Sequence, residues 1–126
     1  THNSSSAASD VYKRQFLDIN PASRGHTLLV PKEPVERIDQ LSRDAAAELG
    51  AAIPKVCRAV MKATGAIAYN LIQNNGREAG MTVPHVHIHI IPRYPESSHS
   101  FTWNHGSLEK TEAAELAKSI KDSILD

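Results

Sequence analysis

Residues 84–92, Pro84-His85-Val86-His87-Ile88-His89-Ile90-Ile91-Pro92 (PHVHIHIIP), alternate three imidazoles with three apolar side chains. A strand sends successive side chains to opposite faces. His85, His87 and His89 then share one face, and Val86, Ile88 and Ile90 share the other. The apolar face predicts packing on a helix. The histidine face carries three groups that titrate near neutrality. Extended to its flanks, MTVPHVHIHIIP (residues 81–92) is expected to be the longest strand of the chain.

Two chemistries suit such a row. Imidazole is a good ligand for zinc, copper, iron and nickel. At ~3.4 Å per residue, however, the outer two Cα atoms lie about 13 Å apart, so one ion reaches all three rings only with strain. A metalloprotein reading would need His85 and His87 with His26 from another strand. The second chemistry is nucleophilic catalysis. An imidazole nitrogen attacks phosphorus or a carbonyl, and water later displaces it. Its neighbours donate to the developing anion. Three histidines that merely fill a core would each need buried hydrogen-bond partners, which is costly. The preceding loop favours catalysis on a phosphate. Gly76 and Gly80 let backbone N–H groups approach an anion, and Thr82 adds a hydroxyl.

Working outward, FLDI (16–19), HTLLVP (26–31) and AIAYNLIQ (66–73) read as three further strands, with NPASRG as a turn between the first two. A helix is expected from an N-cap at Ser42 to a stop at Gly65, burying Leu49, Ile53, Val56 and Val60 and kinked at Pro54. A second runs from Thr111 to Leu125 with Leu116, Ile120 and Ile124 on one face. Trp103 is expected to pin the irregular stretch 93–107. The pattern is that of an α+β fold with an antiparallel sheet. Residues 1–15 read as a flexible or non-native N-terminal segment, and residues 16–126 as one domain. His2, His99 and His105 are expected to be solvated.

Charge balances at 14 basic and 14 acidic residues. Neither a nucleic-acid nor a membrane partner is expected from that. Cys57 is the only cysteine and reads as a small core residue. A reducing, cytoplasmic setting fits a chain with no disulfide framework.

QNNGREAGMTVPHVHIHIIPR (residues 73–93) resembles the signature of the histidine triad (HIT) superfamily of nucleotide hydrolases and transferases, and FLDINPASRGHTLLVPKEPVER (16–37) resembles its upstream block. The likeness covers residues 16–126 and is closest to small prokaryotic HIT proteins, with the fragile histidine triad branch echoed in the loop. The resemblance implies a five-stranded antiparallel sheet with two helices, and sheets joined edge to edge in a homodimer. It implies a purine nucleotide conjugate as substrate, cleaved at the α-phosphate through a nucleotidyl group on His87. His89 would stabilise the phosphate. His85 would hold the ring of His87, with His26 supporting His85. Asp18 would bind the ribose, Asn74 would lie near the phosphates with Gly80, and Thr82 would face the leaving group. Two departures stand out. Met81 occupies a position where the family carries a phosphate-contacting glutamine, and methionine donates no hydrogen bond. The cysteine pair that holds zinc in some members is absent, and Pro34 stands where its histidine partner would be. No metal and no cofactor are therefore expected. Met81 keeps a non-catalytic nucleotide-binding module open as an alternative.

Overall fold

The computed structural model describes residues 14–18, 20–96 and 104–124. The expectations for Trp103, His2, His99 and residues 1–13 lie outside these.

Helix α1, Arg43–Thr64, has the predicted ends. Ser42 Oγ accepts the Ala45 N–H at 3.1 Å, satisfying one orphan donor of the first turn. Gly65 closes the helix in the left-handed conformation at φ 69°, and its N–H returns to the Met61 carbonyl. The helix runs unbroken through Pro54. Proline has no N–H, so the Gly50 carbonyl loses its helical partner. Both residues are exposed. Leu49, Ala52, Val56 and Cys57 are buried along one side, with Ile53 and Val60 packed beside them.

Four antiparallel strands lie in the order β1-β2-β4-β3: β1 Arg14–Leu17, β2 Thr27–Val30, β3 Ala68–Ile72 and β4 Ile88–Arg93. Pairing begins at Arg14 opposite Val30, two residues before the expected start at Phe16. Cross-strand partners share a face. Leu29 opposes Ile88, and Thr27 and Leu71 both oppose Ile90. That face meets α1, which touches β4 and β2. Leu29 and Ile90 are fully buried there, each worth about 1.5–3 kcal/mol of hydrophobic stabilisation. Leu28 and Ile72 oppose His89 on the reverse face.

Three expectations are corrected. Among the described residues the sheet has four strands, not five. The last strand starts at Ile88 and not at Met81, so His85 and His87 precede it. Pro84 supplies no N–H for a ladder, the His85 N–H turns back to the Val83 carbonyl, and the Val86 N–H bonds Val35 instead of a strand neighbour. The alternation survives all the same: Val86, Ile88 and Ile90 are buried and the three histidines are half-buried. Helix α2, Lys110–Asp122, is N-capped by Glu109, whose carboxylate accepts from the Thr111 and Glu112 amides. Its expected apolar face is formed but buries nothing: Leu116, Ile120 and, just beyond the helix, Ile124 are 46%, 64% and 69% exposed.

Candidate active site

The triad lies where β4 enters the sheet. β4 is flanked by β2 and β3, so His89 is set in the middle of the histidine face. The β1–β2 turn brings His26 to the same place. The turn can be this tight because Gly25 takes φ 87°, and a Cβ there would stand 2.5 Å from Thr64 Cγ2 at the end of α1. No larger residue fits that approach.

Each of the four rings is held by a backbone group, directly or through its neighbour. His87 Nδ1 lies 2.7 Å from the His85 carbonyl oxygen. A carbonyl only accepts, so Nδ1 carries the proton and Nε2 keeps a free lone pair. His85 Nε2 lies 3.3 Å from the Pro31 carbonyl and likewise donates. The Ala22 N–H donates to His26 Nδ1 at 3.0 Å. The proton of His26 is then on Nε2, which donates to His89 Nδ1 at 2.9 Å. His89 is left with its own proton on Nε2. These tautomers are assigned from the bonding pattern. The His87 and His89 rings meet edge to face with centroids 4.9 Å apart.

The expected support of His85 by His26 is thereby corrected: His26 bonds His89. The ring of His87 is held by the His85 carbonyl and not by its imidazole. Residues at i and i+2 share a face, but their rings need not touch. The hydrogen-bond partner is chosen by how closely the β1–β2 turn approaches β4.

Burial lowers the pKa of His26; Asp18 opposes this and Arg93 reinforces it. Burial is also the main cause of the lowered pKa of His89, with His87 and His26 adding to it and Asp18 opposing. Both rings are therefore held neutral near pH 7, as their mutual hydrogen bond requires.

Asp18 is half-buried at the end of β1. Its Oδ1 accepts the Asn20 N–H at 2.8 Å, and its Oδ2 lies 3.7 Å from His26 Nε2. It thus bonds its own turn and faces the histidine cluster. Asp18, His26 and His89 each offer a ligand atom, all within 4.8 Å of one another. This trio differs from the His85, His87 and His26 set drawn from sequence. A neutral imidazole that binds metal through Nε2 must carry its proton on Nδ1. The Ala22 N–H already points at Nδ1 of His26, so a metal there would cost that hydrogen bond.

The loop before the triad contains a 3-10 turn at Arg77–Ala79 between Gly76 and Gly80, both at φ 96°. The Asn74 amide lies 3.8 Å from where a Gly80 Cβ would be. Met81 is half-buried and its N–H bonds the Gly76 carbonyl at 3.1 Å. Thr82 is exposed. Among the described residues, no hydrogen bond joins Asn74, Gly80, Met81 or Thr82 to the four rings. What sequence reading missed are the Ala22 amide and the His85 and Pro31 carbonyls. Backbone groups leave no side-chain signal.

A model of the HIT domain matches residues 6–96. An uncharacterised HIT-like protein of Methanocaldococcus jannaschii is 40% identical over 112 residues, 89% of this chain and 84% of that protein. A Schizosaccharomyces pombe protein named adenosine 5'-monophosphoramidase is 45% identical over 78 residues, 62% of this chain. Those residues are 56% of the yeast protein, so this chain spans little over half of it. The crystal structure of a HIT-family protein from Bacillus subtilis superposes with a TM-score of 0.81 at 31% identity, covering 89% of this chain and 82% of that one.

Proposed function

We propose, from the premise that this chain belongs to the HIT family, that it is a nucleotide hydrolase or nucleotidyl transferase acting through a nucleotidyl-histidine at His87. One observation carries the reading: the His85 carbonyl accepts a hydrogen bond from the Nδ1–H of His87, which leaves the lone pair of Nε2 free on a neutral ring. In the first step Nε2 bonds to the α-phosphorus of a purine nucleotide conjugate as the P–O or P–N bond to the leaving group breaks. The leaving group departs with a proton drawn from solvent, and the attacking water or acceptor returns one to solvent in the second step. Water, or an acceptor, then attacks phosphorus, the P–N bond to His87 breaks, and the ring returns neutral. The His89 Nε2–H stands beside His87 as a donor to the phosphate oxygens, whose charge grows in the transition state. Asp18 is assigned to the ribose hydroxyls through its remaining acceptor capacity. Asn74, Gly80 and Thr82 are assigned to the phosphates and leaving group.

No step calls for a metal or cofactor. The name of the S. pombe relative supports a phosphoramidate as one leaving-group class, and dinucleoside polyphosphates are the other that the family resemblance suggests. A homodimer is part of this reading. Among the described residues β3 is an edge strand, and Ile67 just before it and Tyr69 and Leu71 within it are exposed, an edge that pairing with a second copy would cover. Among the described residues no helix is long and apolar enough to cross a membrane, and the lone, buried Cys57 fits the cytoplasm.

The test is brief mixing with adenosine phosphoramidate and with a diadenosine polyphosphate, before and after exhaustive chelation, followed by peptide mapping of an acid-labile nucleotidyl adduct. An adduct on His87 and turnover that survives chelation are expected. An adduct on His85 or His89, or activity lost with a metal, refutes the assignment. Tight nucleotide binding with no turnover of either class would favour the binding-module reading that Met81 keeps open.

A further inference from the structure

We propose that the turn Asn20–Gly25 is a tautomer clamp: its Ala22 amide, clasped in place by Ser23, Arg24 and Tyr94, determines through His26 which ring nitrogen His89 presents to a bound phosphate. The catalytic consequence rests on the function proposed above; the clamp itself does not.

The chain of dependence is short. The Ala22 N–H can only donate, so His26 Nδ1 must accept. His26 Nε2 must then donate, so His89 Nδ1 must accept. His89 is left with a donor on Nε2. Remove the Ala22 hydrogen and the opposite pair of tautomers satisfies the same His26–His89 contact. His89 Nδ1 would donate, and Nε2 would show a lone pair to an anion. One backbone hydrogen thus sets attraction or repulsion two rings away. His87 needs the opposite tautomer to His89, proton on Nδ1, and obtains it from a different carbonyl.

An exposed turn would not hold an amide on an imidazole unaided, and this one is tied to the rest of the fold through Ser23 and Arg24. Ser23 Oγ donates to the Pro92 carbonyl at 2.7 Å, at the end of β4. Arg24 Nη2 donates to the Thr64 carbonyl at 2.9 Å, in the last turn of α1. Tyr94 OH donates to the Arg24 carbonyl at 2.6 Å, and the Arg24 guanidinium lies over its ring, 5.6 Å from the centroid. Within the turn, the His26 N–H returns to the Ser23 carbonyl at 3.1 Å. Ser23, Arg24 and Tyr94 are positioning residues, acting on phosphate only through Ala22, His26 and His89.

The test is long-range proton–nitrogen NMR of the full chain with labelled histidine at pH 7.5. Three variants accompany the wild type: Ala22→Pro, which deletes the N–H and also fixes φ, Ser23→Ala, and Tyr94→Phe. In the wild type, His26 and His89 are expected in the Nε2–H form and His87 in the Nδ1–H form. Ala22→Pro should convert His26 and His89 to a mixture of tautomers while leaving His87 unchanged. Ser23→Ala and Tyr94→Phe, which keep the amide, should give a smaller change of the same kind. This serves if the proline disturbs the turn. kcat should fall about tenfold in Ala22→Pro with KM nearly unchanged, as for loss of a donor used in the transition state. The groups facing the pair are Asp18, His87 and Arg93. The acid limb of the rate profile should move with the tautomer change, which a merely loosened fold would not produce. A wild-type His89 in the Nδ1–H form, or tautomers indifferent to all three variants, overturns the clamp. Tautomers that shift as stated in a protein that turns over no nucleotide uphold the clamp and overturn the function instead.

Discussion

The triad segment and the C-terminal helix carry equally regular sequence patterns and meet opposite fates. Val86, Ile88 and Ile90 follow a period of two and are 1%, 5% and 0% exposed. Leu116, Ile120 and Ile124 follow a helical period and are mostly exposed. Periodicity says which side chains share a face. Whether anything covers that face depends on where the rest of the chain goes. β4 lies inside the sheet, between β2 and β3, with α1 over it, whereas among the described residues α2 has no buried residue at all.

The contrast breaks or sharpens under substitution. The largest effect is expected at His87. His87→Ala should lower turnover roughly 10⁴-fold or more, as removal of a nucleophile does in other hydrolases, while nucleotide still binds by calorimetry. Preserved turnover would mean that the histidine face is only structural. On the opposite face of the same strand, Ile90→Ala should cost about 2–5 kcal/mol of stability in urea titration, a transfer loss plus a cavity. A cost below about 1 kcal/mol would show that the site collapses and that the core is looser than its burial implies.

Met81→Gln places a hydrogen-bond donor in the loop that the proposed function assigns to the phosphates. Hydrogen bonds to charged groups are worth about 1.5–3 kcal/mol. kcat/KM on a dinucleoside polyphosphate should therefore rise about one to two orders of magnitude. No gain would mean that a backbone donor already serves there.

Acid should act through the neutral pair. The folded pKa values of His26 and His89 lie below the ordinary 6.5. As pH falls through 6.5 the unfolded chain takes up protons that the folded chain refuses, so stability declines there and is flat with respect to these groups above it. A urea-midpoint series from pH 8 to 5 checks this, and His26→Asn should flatten the slope. The smallest effect belongs to the other half of the comparison. Ile120→Ser in α2 should change the stability of dilute protein by no more than about 0.5 kcal/mol, as exposed substitutions do. A loss above 1 kcal/mol would show that the face is covered after all.

Much of the local structure is written in the residues themselves. Ser42 and Gly65 mark the ends of α1 because caps are local chemistry. The alternation of residues 85–90 separates histidines from core because side-chain direction in extended chain is local too. His26 was legible as a fourth ring from its place after Gly25 and before a strand. Tertiary structure decided what those rings touch. The His26–His89 bond spans 63 residues, the His85–Pro31 bond 54 and the Ser23–Pro92 tie 69. Several of the groups that set the tautomers are backbone amides and carbonyls, identical at every non-proline position. No residue type announces them, and only the path of the folded chain brings the Ala22 amide to His26 and, among the described residues, leaves the apolar face of α2 exposed.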